Sequence, residues 1–147
     1  MTETPVFDEL ETLRGLFQEH GAVLAYLFGS HAEGRSGPLS DLDFAILFGP
    51  DVPPEAWSDR QIKLMVRLMD LFGRGDIDLV VLNRATPVMA QQVATRGCLL
   101  FEAQPGTRVG FEVDTLRRYV DTKPLRRLQD HSFFREIDKD RALSAER

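Results

Sequence analysis

One cysteine, Cys98, in 147 residues has no second thiol in the chain to pair with, which excludes an internal disulfide framework and a Cys-rich metal site. Such a chain fits a reducing compartment, and a cytoplasmic location is the expectation. No apolar run approaches the roughly 20 residues that a membrane-spanning helix needs. The first residues, MTETPVFDELETLRGLF, are acidic and read as a helix start rather than a signal peptide. Internal repeats and low-complexity tracts are lacking, which excludes solenoids and biased linkers. Positive charge is also in deficit. A net charge of −5 argues against a protein drawn as a whole to nucleic acid or anionic membranes.

The length suits one domain with a core of its own, and the 43% apolar and 28% charged content is that of an ordinary globular chain. Charge is unevenly spread. Residues 1–107 hold 8 basic and 15 acidic side chains, whereas residues 108–147 hold 10 basic and 8 acidic. The mildly basic end reads as solvated helix faces or as a docking surface for an acidic partner.

Hydrophobic spacing predicts a helix over residues 5–20, with Phe7, Leu10, Leu13, Leu16 and Phe17 on one stripe and Gly21 at its end. AVLAYLF, 22–28, suits a buried strand. DLDFAILF, 41–48, alternates, with Leu42, Phe44, Ile46 and Phe48 on one apolar face and Asp41, Asp43, Ala45 and Leu47 on the other. Ser58 is the expected N-cap of a helix through DRQIKLMVRLMDLF, whose stripe is Ile62, Met65, Val66, Met69 and Phe72. DIDLVVL, 76–82, is a third strand. Pro87 opens a helix that Gly97 closes, CLLFE is a fourth strand, and the chain is helical from Thr107 with a break at Pro124. The fold class is α/β (α+β): a small mixed sheet flanked by helices, with a helical end. The expected division is a core over 1–105 and an extension over 106–147, within a single domain.

The stretch LFGSHAEGRSGPLSDLDFAIL, 27–47, concentrates the chemistry. Residues two apart on a strand share a face, about 7 Å apart at the Cα. Two full charges there repel by about 2 kcal/mol at an effective dielectric near 20. Asp76 or Asp78 adds a third carboxylate from a neighbouring strand. Hydration, protonation, a basic partner or a bound cation could relieve the cluster. A hard cation such as Mg²⁺ takes carboxylate oxygens and keeps places for water and phosphate oxygens. Gly29 and Ser30 follow a strand and open a polar turn, which suits backbone N–H groups and a hydroxyl to an anion. A phosphate cradle joined to metal-binding carboxylates is equipment for phosphoryl or nucleotidyl transfer. Asp78 is preferred to Asp76 as the third acid, because it lies between Ile77 and Leu79, whereas Asp76 follows a Gly-rich turn and can stay hydrated.

GSHAEGRSGPLSDLD resembles the Gly-Ser-x10-Asp-x-Asp signature of the polymerase-beta-type nucleotidyltransferase superfamily, and DIDLVVLNRATPVMAQQVATRGCLLFE is similar to the third-acid strand, helix and short strand of its minimal nucleotidyltransferase (MNT) branch. The resemblance implies that Gly29 and Ser30 hold the triphosphate of ATP. It implies that Asp41 and Asp43 bind two Mg²⁺ ions, and that Asp78 binds one of them and helps deprotonate the attacking hydroxyl. It further implies an antitoxin that moves AMP onto a tyrosine of a HEPN ribonuclease toxin, with no direct nucleic-acid or membrane partner. A non-catalytic antitoxin that occludes its partner is the alternative from another class. A small-molecule, antibiotic-type nucleotidyltransferase is a further one, disfavoured because no long second domain is present to wall a substrate pocket. His31 either contacts phosphate or is an ordinary loop histidine.

Other candidates weigh less. Arg126 and His131 have Arg-x4-His spacing, which resembles the ribonuclease motif of the HEPN toxins. Phe133 stands where that motif has tyrosine, and the remaining segment is short for a helical bundle. Tyr26 is expected in the core with its hydroxyl satisfied locally, and Tyr119 in amphipathic packing. Arg35 and Lys63 are expected in water.

Overall fold

The computed structural model describes residues 5–29 and 41–122. Helices α1 (Pro5–Asp8) and α2 (Leu10–Glu19) lead into strand β1 (Ala22–Phe28). Strand β2 (Leu42–Phe48), a 3-10 turn at Pro54–Ala56, α3 (Trp57–Phe72) and β3 (Ile77–Val81) follow. A second 3-10 turn at Leu82–Arg84, α4 (Pro87–Arg96), β4 (Cys98–Glu102) and α5 (Thr107–Asp121) complete the order. None of the described helices is long and apolar enough to cross a membrane.

The four strands form one mixed sheet in the order β3-β2-β1-β4. β1 is antiparallel to both of its neighbours, and β2 and β3 are parallel. That parallel pair requires a crossover, which α3 supplies. The period-two pattern in β2 works as the sequence implies. Leu42, Phe44, Ile46 and Phe48 are buried in the larger core, with Leu13 and Phe17 of α2 and Leu64 and Leu68 of α3. On the opposite face Leu24, Tyr26 and Ala45 pack with Ala90 and Val93 of α4 and Phe111 of α5.

On each edge strand a helix side chain takes one backbone carbonyl. Arg14 Nε donates to Leu100 O on β4 at 3.0 Å, and Gln61 Nε2 donates to Leu79 O on β3 at 2.6 Å. These contacts occupy carbonyls that would otherwise template another strand. Asn83 ties down the end of β2, accepting from Phe48 N at 2.7 Å and donating to Phe48 O at 3.0 Å.

Three expectations are corrected. The helix over 5–20 is interrupted at Glu9, so α1 and α2 are separate. Ser58 is not an N-cap. PEA turns first as a 3-10 helix, which places α3's start at Trp57, and the Ser58 hydroxyl instead accepts from Arg84. The stripe of α3 is also turned. Leu64 and Leu68 are its buried residues, whereas Ile62 is 62% and Val66 50% exposed. Met65, Met69 and Phe72 of the expected stripe do pack, partly buried, against the larger core. The apolar residues of IKLMVRLMDLF hold two overlapping helical stripes, and packing on the sheet favours the one centred on the leucines. Thr86 supplies an N-cap that the sequence reading omitted, its Oγ1 accepting from Met89 N.

Candidate active site

β1 ends where β2 and β3 begin. Phe28 is the register partner of Asp43, and Asp43 is in turn the partner of Asp78. Partners in register on adjacent strands point to one side, about 4.8 Å apart between chains. Asp43 is half-buried and Asp78 exposed, on the face opposite the leucine-rich core. Asp41 lies one residue before β2 and is exposed. Three carboxylates therefore stand at one end of the sheet.

Gly29 closes against them. Its φ is +78°, a left-handed conformation that glycine adopts freely. A Cβ at this position would stand 2.6 Å from Asp43 Oδ2, a separation at which the carboxylate would have to move. Backbone conformation and space thus both favour glycine at the end of β1. Ser30, His31 and Arg35 fall outside the described residues, as do Arg126, His131 and Phe133.

Asp76 and Asp78 have separate environments. Arg74 grips Asp76 with two charge-assisted bonds, Nε to Oδ1 at 2.5 Å and Nη2 to Oδ2 at 2.6 Å. The hydrogen bond to Asp76 holds the Arg74 guanidinium pKa above its usual value, and the charges of Asp76 and Asp41 add to that. Asp76 is thus bound to a cation rather than simply hydrated. Asp78 instead accepts from Leu79 N at 3.0 Å and stands in register with Asp43. The sequence reasoning preferred Asp78 because it would be enclosed; the exposed position of Asp78 corrects that reason. Arg74 was missed altogether. The short spacing of GRGD is compatible with such a fork, but only the turn's geometry aims it.

Among the described residues no three His, Cys, Asp or Glu side chains converge into a metal cage. The candidate donors are instead the carboxylates of Asp41, Asp43 and Asp78 at one end of the sheet. This fits a hard divalent cation that retains water and accepts phosphate oxygens, and it does not fit a closed structural zinc site.

Other candidates lie elsewhere. Tyr26 is 1% exposed, and its hydroxyl has no hydrogen-bond partner among the described residues, which corrects the expected local satisfaction. Burial, then the charge of Glu112, push its pKa to about 12, with Glu102 adding and Arg108 opposing. A phenol so held is a poor nucleophile. Tyr119 is half-buried and lines a groove of about 320 Å³ with Gln92 and Arg96 between α4 and α5. Lys63 pairs with Asp59 at 3.0 Å on an exposed face of α3, as a solvated lysine would.

Comparison with known proteins agrees with this geometry. A family model described as polymerase beta, nucleotidyltransferase, matches residues 11–106. The protein adenylyltransferase MntA of Shewanella oneidensis is 35% identical over 96 residues, and the match spans 65% of this chain and 65% of that protein's length. Among solved structures, a toxin–antitoxin crystal structure with AMP-PNP aligns at a TM-score of 0.72 and 27% identity, over 85% of this chain and 98% of the matched one. A complex of tri-AMPylated HEPN toxin with MNT antitoxin from Shewanella oneidensis aligns at 0.68 and 25%, over 87% and 98%.

Proposed function

The chain belongs to the polymerase beta nucleotidyltransferase family, and from that premise we propose that it transfers AMP from ATP, with Mg²⁺, to a tyrosine hydroxyl of a HEPN-type toxin. The observation that carries this reading is the register pairing of Asp43 with Asp78 beside the Gly29 turn. It sets two carboxylates on one face, next to backbone that has no side chain to keep a phosphate away.

In this proposal Asp41 and Asp43 hold the cation, and Asp78 shares it. The cation, when bound, offsets charge on the triphosphate and lowers the pKa of the attacking hydroxyl. Gly29 and Ser30 receive the phosphates through backbone N–H groups and a hydroxyl. Asp78 takes the proton as the tyrosine oxygen attacks the α-phosphorus. The new oxygen–phosphorus bond forms as the bond to pyrophosphate breaks, and pyrophosphate leaves. Arg74 keeps Asp76 occupied, so Asp78 is the acid left facing Asp43. In this proposal the core spans 1–105, and α5 extends it.

The test uses ATP labelled at the α-phosphate, Mg²⁺ and a HEPN-type toxin as acceptor, with an aminoglycoside offered in a parallel reaction. Label retained on the partner's tyrosine supports the proposal. Inhibition of the partner without label supports an occluding antitoxin instead, and label on an aminoglycoside alone supports a small-molecule enzyme.

A further inference from the structure

Helix α5 has two apolar faces. Phe111 and Thr115 are buried against the sheet side. Roughly opposite them run Val109, Val113, Leu116 and Val120, which are 50–58% exposed. Steps of four, three and four residues put these side chains on one line, about 16 Å long at 1.5 Å per residue. No other described helix exposes four large apolar residues.

The spacing is that of a coiled-coil seam. Valine stands at both a positions, 113 and 120, and Leu116 stands at a d position with Val109 at the other. β-Branched residues at a with leucine at d favour two strands in parallel. The flanks select the partner. Glu112 occupies a g position and Arg117 the following e position, five residues on. In a parallel two-fold pair, g of one helix faces the next e of the other. Glu112 would therefore meet Arg117 of a second copy, and the symmetry would form the pair twice. An antiparallel pair would set Glu112 against Tyr119 and Arg117 against Gly110, with no charge complement. Within one chain Glu112 already lies 3.4 Å from Arg108, one turn earlier, in a partly exposed pair that can be shared.

We propose that α5 is a self-association surface. Two copies of this chain pair in parallel along Val109, Val113, Leu116 and Val120, with Glu112 of each facing Arg117 of the other. This goes beyond the transfer reaction and does not rest on it.

Sedimentation equilibrium on the full chain without partner tests it. The expected mass rises from 16.6 kDa toward twice that value with concentration. Leu116→Lys should return the monomer with an unchanged far-UV spectrum, because Leu116 is already exposed. Arg117→Glu should weaken association about tenfold, as two attractive pairs become repulsive. The exchange Glu112→Arg with Arg117→Glu should recover most of that loss. A chain that stays monomeric at every concentration overturns the proposal. So does a dimer that Leu116→Lys leaves intact, or an exchange variant no better than Arg117→Glu. If the chain alone is monomeric and Leu116→Lys abolishes binding of the HEPN partner, the stripe serves that partner and the proposal is wrong.

Discussion

Gly29 and Asp43 are so close that a single methyl group on the first would stand 2.6 Å from the carboxylate oxygen of the second. The contact joins the end of β1 to the start of β2 and fixes the spacing between backbone and acid. Gly29→Ala therefore carries two costs. The φ of +78° opposes any L side chain by about 1–2 kcal/mol, and the contact with Asp43 adds to it. Urea unfolding should show a loss of at least that size. Combining Gly29→Ala with Asp43→Ala should recover the contact part and leave the conformational part.

Asp78→Asn separates catalysis from folding. The substitution removes one charge from the Asp43 neighbourhood, so stability without ligand should be unchanged or higher while transfer is lost. A strong destabilisation, read as a lower urea midpoint, would make Asp78 a structural residue. Asp43→Asn should likewise abolish transfer.

Much of this site is legible in the sequence, for physical reasons. Alternation in DLDFAILF sets Asp41 and Asp43 apart from Leu42 and Phe44 whatever the fold, because a strand has period two. The pairing of Asp43 with Asp78 is a register between distant segments, and no local pattern encodes it. The turned stripe of α3 has a similar origin. Apolar residues at 62, 64, 65, 66, 68 and 69 are too dense for periodicity to choose a face, and the sheet makes the choice. The fork between Arg74 and Asp76 depends on the dihedral angles of one turn, where composition says only that opposite charges are near.

Arg74→Ala tests that fork. Both partners are partly exposed, so the pair should be worth no more than about 1 kcal/mol and should weaken with salt. The larger effect should fall on the site, since Asp76 would then join the acidic face near Asp41. Thermal unfolding at low and high salt measures the first effect. The Mg²⁺ dependence of transfer measures the second, which should shift if Asp76 begins to compete for the cation.

Tyr26 makes a prediction in alkali. Its folded pKa of about 12 lies above the ordinary value of 10.0, so the folded state holds the phenol proton after the unfolded chain has lost it. Stability is therefore at its full value below about pH 10 and falls as pH rises through about 12, because the buried phenolate is disfavoured. Ultraviolet titration should show a late phenolate transition near pH 12. Tyr26→Phe removes the late transition. Because the Tyr26 hydroxyl has no hydrogen-bond partner among the described residues, that variant should be as stable as the parent at neutral pH, or about 1 kcal/mol more stable.

The central claim is that paired carboxylates on β2 and β3 drive transfer of AMP to a partner protein. Intact-mass measurement of a HEPN-type toxin, the proposed partner, after incubation with ATP and Mg²⁺ and either the parent chain or Asp78→Asn, tests it most directly. The account predicts one or more added AMP units with the parent chain, and none with Asp78→Asn although the partner is still bound. A partner whose mass never changes while its nuclease activity is still silenced would contradict it.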